Sequence, residues 1–169
     1  MQKQPSKSER PAVKHTPAPK KRKEEYMKKT DLAYLAGILD GEGCIHIGKW
    51  IGQEGQLPRY RLAVQISMVD KVPLLLARFA FGGYLRLRKR KNDKWKPLWE
   101  WGVGSGSAVE CLKDLMPYLH TKKAEAELAI KFQESKNHKQ NWVRREDKVL
   151  AVEEANYILM KSLKDKSCS

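Results

Sequence analysis

Cysteine is scarce in this chain of 169 residues. Cys44, Cys111 and Cys168 are dispersed, odd in number and form no CxxC pair, which argues against a disulfide framework and against a zinc site. The four histidines, His15, His46, His120 and His138, are just as scattered. No apolar run is long enough to span a bilayer, and no signal-peptide core is visible. A soluble protein of a reducing, intracellular compartment is expected, with no membrane partner; an organelle (chloroplast or mitochondrion) and a prokaryotic cytoplasm both stay open.

Acid is short as well: 34 Lys and Arg stand against 20 Asp and Glu, a net charge of +14. Residues 1–29 hold ten Lys or Arg against three Glu, or +7, so the other 140 residues also carry +7. Basicity is therefore a property of the folded body and not of a tail alone. A basic body with a basic arm suits a polyanionic partner, most simply nucleic acid. A solubilising charge excess is the plainer alternative.

Large apolar residues are nearly missing from 1–29, which hold four of the eight prolines. This segment cannot bury enough surface to fold and reads as a disordered basic arm. Beyond it, Thr30 is the expected N-cap of a helix running to about Asp40, with Asp31 favourable in its first turn. "CIHIGKW" (44–50) and "YRLAVQISM" (60–68) alternate as strands, with "GQEGQLP" as their hairpin loop. A helix over 71–80 has Pro73 in its first turn and ends at Gly82-Gly83. "YLRLRKR" (84–90) and residues 95–103 give two more strands, joined by "KNDK". Helices are expected over 107–118, 121–134 and "EDKVLAVEEANYILMKSL". The order α-β-β-α-β-β-α-α-α is that of an α+β domain on a four-stranded antiparallel sheet, with the αββ order occurring twice. The folded domain is expected over 30–134, with 135–169 as a C-terminal helical extension packed on it.

Each strand pairs an apolar side with a cation-rich side. The polar side would carry His46, Arg61, Gln65, Ser67, Arg86, Arg88 and Arg90. The rigid fork of arginine fits guanine edges and phosphates, and glutamine can pair with adenine. A twisted antiparallel ribbon can enter a major groove. A solvated sheet face is the alternative; three arginines at period two on one strand favour nucleic acid. Trp99, Trp101 and Val103 share a side opposite Glu100 and read as core, with base stacking the lesser alternative. Trp50 and Trp95 lie near hairpin ends, undecided between packing and contact; Trp50 joins the candidate DNA-binding side chains.

The acid that stands out is Glu42, between Gly41 and Gly43 at the end of an apolar helix. Glycines there would let the backbone turn sharply and approach a partner closely. A carboxylate facing a polyanion repels it unless a cation intervenes. Mg²⁺, held by one or two carboxylates, phosphate oxygens and water, is the natural choice, and such an ion can assist phosphodiester hydrolysis. Spacing alone favours a plain Asp-Gly helix end.

"LAGILDGEG" (35–43) closely resembles the nine-residue motif that names the LAGLIDADG homing endonucleases. Leu35, Ala36, Gly37, Asp40, Gly41 and Gly43 stand where the motif has them, with Glu42 as its final acid. The αββαββα order is similar too, so the resemblance covers roughly residues 30–134. Only one motif is found, and single-motif members of the family act as homodimers. The resemblance implies that Leu35, Ala36, Gly37 and Asp40 lie in a helix–helix dimer interface, small residues allowing close approach. It implies that Glu42, assisted by the Gly41 carbonyl, binds Mg²⁺ or another divalent cation, and that Asp40 has a structural capping role. "PYLHTKKAEA" (117–126) resembles the segment with the active-site lysine. This places it at Lys122, with Lys123 as the rival and a candidate DNA contact. "ISMVDK" (66–71) resembles the strand end with a polar active-site residue, here Asp70.

The resemblance thus implies a homodimeric, metal-dependent, site-specific double-strand DNA endonuclease of intron-encoded origin. It would cut a long pseudo-palindromic site to leave short 3′ overhangs. An RNA-binding intron maturase or a non-catalytic DNA-binding regulator on the same fold is the alternative.

Overall fold

The computed structural model of the protein describes residues 27–53, 56–88, 95–136 and 147–167. Nearly all of the expected basic arm, the "KNDK" turn and Arg90 lie outside these residues. Helix α1 (Lys29–Glu42) leads into β1 (Gly43–Trp50) and β2 (Arg59–Met68). Helix α2 (Val72–Phe81) leads into β3 (Tyr84–Arg88) and β4 (Leu98–Gly104). Helix α3 (Ser105–Leu115), a 3-10 turn (Met116–Tyr118), α4 (Lys123–Glu134) and α5 (Asp147–Ser167) complete the described chain. The fold is α+β, in the expected order. The strands form one four-stranded sheet, β1-β2-β4-β3, with every neighbouring pair antiparallel.

The register explains how alternation becomes a core. Ile45 pairs with Val64 and Val64 with Val103; Ile66 and Leu85 both oppose Trp101. Side chains alternate along a strand, so these fall on one face. The helices cover that face. Leu35 and Leu39 of α1, Leu74 and Ala77 of α2, Cys111 and Leu112 of α3, and Ala126, Ala129 and Phe132 of α4 are all buried in one cluster with it. The tryptophan stripe is core, as its alternation suggests. Trp101 is buried and donates its indole N–H to the Gly82 carbonyl at 2.8 Å, while Trp99 is half-buried against the cluster. Trp95 is 59% exposed.

Two expectations about α1 need correction. The helix begins at Lys29, and Thr30 is not its cap; instead Asp31 accepts a hydrogen bond from the Lys28 backbone N–H at 3.1 Å. Its acid in the first turn therefore satisfies a donor that a helix start leaves without an intrahelical partner. The helix also runs through Gly41 and Glu42 rather than stopping at Asp40. Gly41 is helical and has open space where a Cβ would go, whereas a Cβ at Gly43 would lie 2.3 Å from Leu39 Cδ1. Gly43 is thus demanded by the close passage of the chain from α1 into β1, in extended backbone (φ −90°) and not in a tight turn.

The turn from α2 to β3 does need glycine conformations: Gly82 and Gly83 have φ of 70° and 85°. A Cβ on Gly83 would meet the Gly102 carbonyl oxygen at 2.3 Å. Gly83→Ala combines positive φ with a backbone clash, and is expected to lower stability by about 2 kcal/mol or more. Urea denaturation of the two proteins checks this, and an unchanged midpoint would remove the strain argument.

Candidate active site and nucleic-acid surface

The last turn of α1 is fixed by a loop eighty residues away in sequence. The Asp40 carboxylate accepts the His120 backbone N–H at 2.8 Å, the Lys122 backbone N–H at 3.0 Å and the Thr121 hydroxyl at 3.0 Å. In return the Lys122 ammonium donates to the Asp40 carbonyl. A cation is well placed there, because carbonyls at a helix C-terminus have no intrahelical donors and carry the negative end of the dipole. Burial alone would raise the Asp40 pKa, but the bonds from His120, Lys122 and Thr121 outweigh it and hold it below the ordinary value. The tie thus adds stability above that range and loses it as acid protonates the carboxylate. Asp40 therefore acts as a cap, for the start of α4 rather than for its own helix.

Glu42 closes α1 with its side chain exposed, two residues beyond Asp40. The structure thus brings Glu42, Gly41 and Lys122 to one end of one helix. Lys123 opens α4 and is exposed. Asp70 lies past the end of β2, the end whose Ile66 pairs with Gly43, so it belongs to the same end of the sheet as Glu42. One of its carboxylate oxygens accepts the Val72 backbone N–H at 2.9 Å, so Asp70 also secures the start of α2. Among the described residues no group of three or more His, Cys, Asp or Glu sits together as a closed metal cage. An exposed carboxylate beside the carbonyls of a helix end does suit a hard cation that keeps waters and phosphate oxygens in its shell.

Leu35 and Ala36, expected at a dimer interface, are 1% and 0% exposed within the chain's own core. The helical period turns them inward. The outward side of α1 is formed by Tyr34, Gly37, Ile38 and Gly41, at spacings of three and four. Of the four interface expectations, Gly37 alone faces out freely, since Asp40 is engaged by the loop at 120–122.

The sheet face away from the helices gathers the expected polar set. His46 pairs with Ala63, Gln65 with Cys44 and Gly102, Ser67 with Glu100, and Arg86 with Glu100, so all share one side with Arg61 and Arg88. Trp50 is on this side too. It is 51% exposed, and its ring lies over Gly48, where a Cβ would meet it at 2.4 Å. Beside it, Ile51, Leu57, Arg59 and Arg61 help line an open hollow of about 350 Å³.

Three residues of this face, Glu100, Tyr84 and Cys44, were not singled out as site candidates by the sequence. Glu100 is 3% exposed yet ionised: its Oε1 accepts Arg86 Nε at 2.9 Å and Nη2 at 2.5 Å, and its Oε2 accepts Arg88 Nη1 at 3.3 Å. The Tyr84 hydroxyl also donates to Glu100 Oε1 at 2.9 Å and receives Gln65 Nε2 at 2.8 Å. Burial pushes the Glu100 carboxyl up, but Arg86, Tyr84 and Arg88 together hold it below its ordinary value. Three recognition candidates, Arg86, Arg88 and, through Tyr84, Gln65, are thus joined through one carboxylate. At the β1 start, the Cys44 thiol lies 3.8 Å from His46 Nδ1 and receives Lys164 Nζ of α5 at 3.1 Å. His46 and, against burial, Lys164 draw the thiol down to about 7.

No family model matches the chain. The DNA endonuclease I-CvuI of Chlorella vulgaris is 32% identical over 101 residues, a match spanning 58% of this chain and 60% of that protein's length. The structure of I-CvuI with its target in the presence of Ca superposes with a TM-score of 0.64 at 23% identity, covering 80% of this chain and 82% of that one. The archaeal intron-encoded homing endonuclease I-Vdi141I, complexed with DNA, gives a TM-score of 0.65 at 11% identity over 81% and 86% of the two chains. The LAGLIDADG homing endonuclease I-GzeII, in complex with a DNA target, gives 0.52 at 19% identity over 77% of this chain and 43% of its own. Such low identities establish a shared fold, and the relative and the motif at 35–43 refine it. With "LAGILDGEG" closing the first helix of an αββαββα domain, the chain has the fold of these homing endonucleases and is similar in sequence to I-CvuI over 101 residues.

Proposed function

We propose that the protein is a divalent-metal-dependent endonuclease that cuts both strands of a specific, long, near-palindromic DNA site as a homodimer. One observation carries this reading: the Lys122 ammonium is tied to the last turn of the helix that ends in Glu42. A carboxylate for a hard cation and a lysine for phosphate charge are thereby held on one framework. The I-CvuI and I-Vdi141I structures on DNA support duplex DNA as the partner. The +14 net charge supplies the attraction.

Glu42 and the Gly41 carbonyl would hold the ion, Mg²⁺ or another divalent cation. When bound, that ion polarises the phosphate and lowers the cost of forming hydroxide from water. Lys122 faces the phosphate and stabilises its developing negative charge. Asp40 fixes the lysine's backbone, so the ammonium is placed before substrate arrives. Asp70, at the same end of the sheet, orients water.

The outward side of α1 supports the dimer. Gly37 and Gly41 have nothing within 4 Å of an added Cβ, and Tyr34 is 53% exposed beside them. A second copy of α1 can approach closely there, bringing two Glu42 side chains together. The polar sheet face then lies along one half of the site. Arg61, Gln65, Ser67, Arg86, Arg88 and His46 face base edges and phosphates, and the Trp50 hollow takes the outer nucleotides.

Four experiments test the reading. Cleavage selection from a randomised plasmid library with Mg²⁺ is expected to yield a near-palindromic duplex. On that duplex Glu42→Gln should lose cleavage while keeping its dissociation constant within a few-fold; full cleavage by the variant would remove Glu42 from the site. Gly37→Leu, well tolerated by an exposed helix, should keep the melting temperature but sediment as a monomer. A stable dimer in that variant would move the interface elsewhere. Glu100→Gln frees two arginines and adds one net positive charge to the face. Its affinity for unrelated duplex should rise at low salt, while its preference for the selected duplex falls about tenfold. Competition binding checks this, and an unchanged preference would reduce Glu100 to a packing role.

A further inference from the structure

Glu125 lies in the first turn of α4, three residues after Lys122, and has no part in the mechanism above. It is 5% exposed, and its Oε2 has no hydrogen-bond partner. A buried carboxylate is costly unless it is paired and bonded. The charged groups facing it are Lys164 from α5, Lys122 at the start of its own helix, and Asp40 from α1. Burial is the strongest influence and raises its pKa; the two lysines oppose the rise and Asp40 adds to it.

Helix α5 reaches this corner because it runs along β1 in the opposite direction. Glu154 near its start bonds Lys49 Nζ at 2.5 Å and accepts a hydrogen bond from the Tyr60 hydroxyl. Ten residues later Lys164 bonds Cys44 at 3.1 Å. Ten helical residues rise about 15 Å and the five strand residues from Lys49 to Cys44 about 17 Å, so the two spans match. Met160, between these ends, is 2% exposed and anchors the helix.

We propose that Glu125 is a positioning residue for Lys122, supported by Lys164, so that the C-terminal helix forms part of the active site. This rests on the reading of Lys122 as the phosphate-facing lysine. In the free protein the Lys122 ammonium bonds the Asp40 carbonyl, which leaves two of its three N–H donors for a phosphate. Glu125, with one oxygen unpartnered, supplies negative charge near the start of α4. It keeps the ammonium close instead of released to solvent. Lys164 offsets the charge of Glu125 and favours its ionised form.

The test is a double-mutant cycle of Glu125→Gln and Lys122→Met in the full chain. It is read as single-turnover cleavage of the selected duplex, dissociation constant and melting temperature. Glu125→Gln should slow cleavage about tenfold with the dissociation constant unchanged, and cause little further loss in the Lys122→Met background. Stability should move the other way. A carboxyl with a raised pKa costs stability above that pKa, so Glu125→Gln should melt higher at pH 8 and match the parent near pH 4. Wild-type cleavage by Glu125→Gln, or losses that simply add, would overturn the proposal while leaving the nuclease reading intact. Wild-type cleavage by Lys122→Met would instead overturn the role of Lys122, and this inference with it. If Glu125→Gln does not fold, Lys164→Met takes its place in the cycle, with a non-additive cleavage loss expected and an additive or absent one overturning the proposal.

Discussion

Everything distinctive about this fold depends on one carboxylate joining two distant parts of the chain. Asp40 closes three bonds onto residues 120–122, and Lys122 answers with one to its carbonyl. Without that tie the end of α1 and the start of α4 would be two independent termini. Each would have unsatisfied backbone groups, and Glu42 and Lys122 would have no fixed relation. Charge-assisted bonds from backbone N–H groups are among the stronger ones available, and here they are spent on geometry at the point where chemistry is proposed.

The sheet follows a related logic. Arginines at Arg86 and Arg88 repel each other and would splay in water; a nearly buried acid between them turns repulsion into a fixed array. Such a carboxylate adds little net stability, because desolvation offsets much of the attraction. It does define direction. Guanidinium forks held from below can present their remaining N–H groups outward at lower entropy cost than free side chains. Under the proposed function, the arrangement would favour selectivity over bulk affinity, while the +14 net charge attracts any duplex.

Much of this was legible in the sequence, for identifiable reasons. Period-two alternation fixed which residues share a face, so His46, Arg61, Gln65, Ser67, Arg86 and Arg88 were placed on one side before any register was known. The motif pointed to Glu42 and, through a second short segment, to Lys122, and the structure brings both to one end of α1. What escaped depended on contacts between remote residues. Glu100 looked like a lone acid on a tryptophan strand, and only the β3–β4 pairing sets it opposite Arg86. Glu125 carries no sequence signal of its own; its burial alone sets it apart. The inward turn of Leu35 and Ala36 follows from helical phase, but that phase is set by packing against the rest of the core. Small side chains read equally well as helix contacts within a chain or between chains.

The course of α5 along β1 has one more consequence. A four-stranded sheet has two edges whose open N–H and C=O groups invite further strands. Along β1 that invitation is met by a helix fastened at both ends, through Glu154 to Lys49 and Lys164 to Cys44. The opposite edge, β3, is five residues long and carries Arg86 and Arg88, so a second copy approaching it meets like charge. A sheet this exposed on one face could otherwise polymerise strand by strand. With one margin clasped and the other electrically guarded, it is confined to four strands.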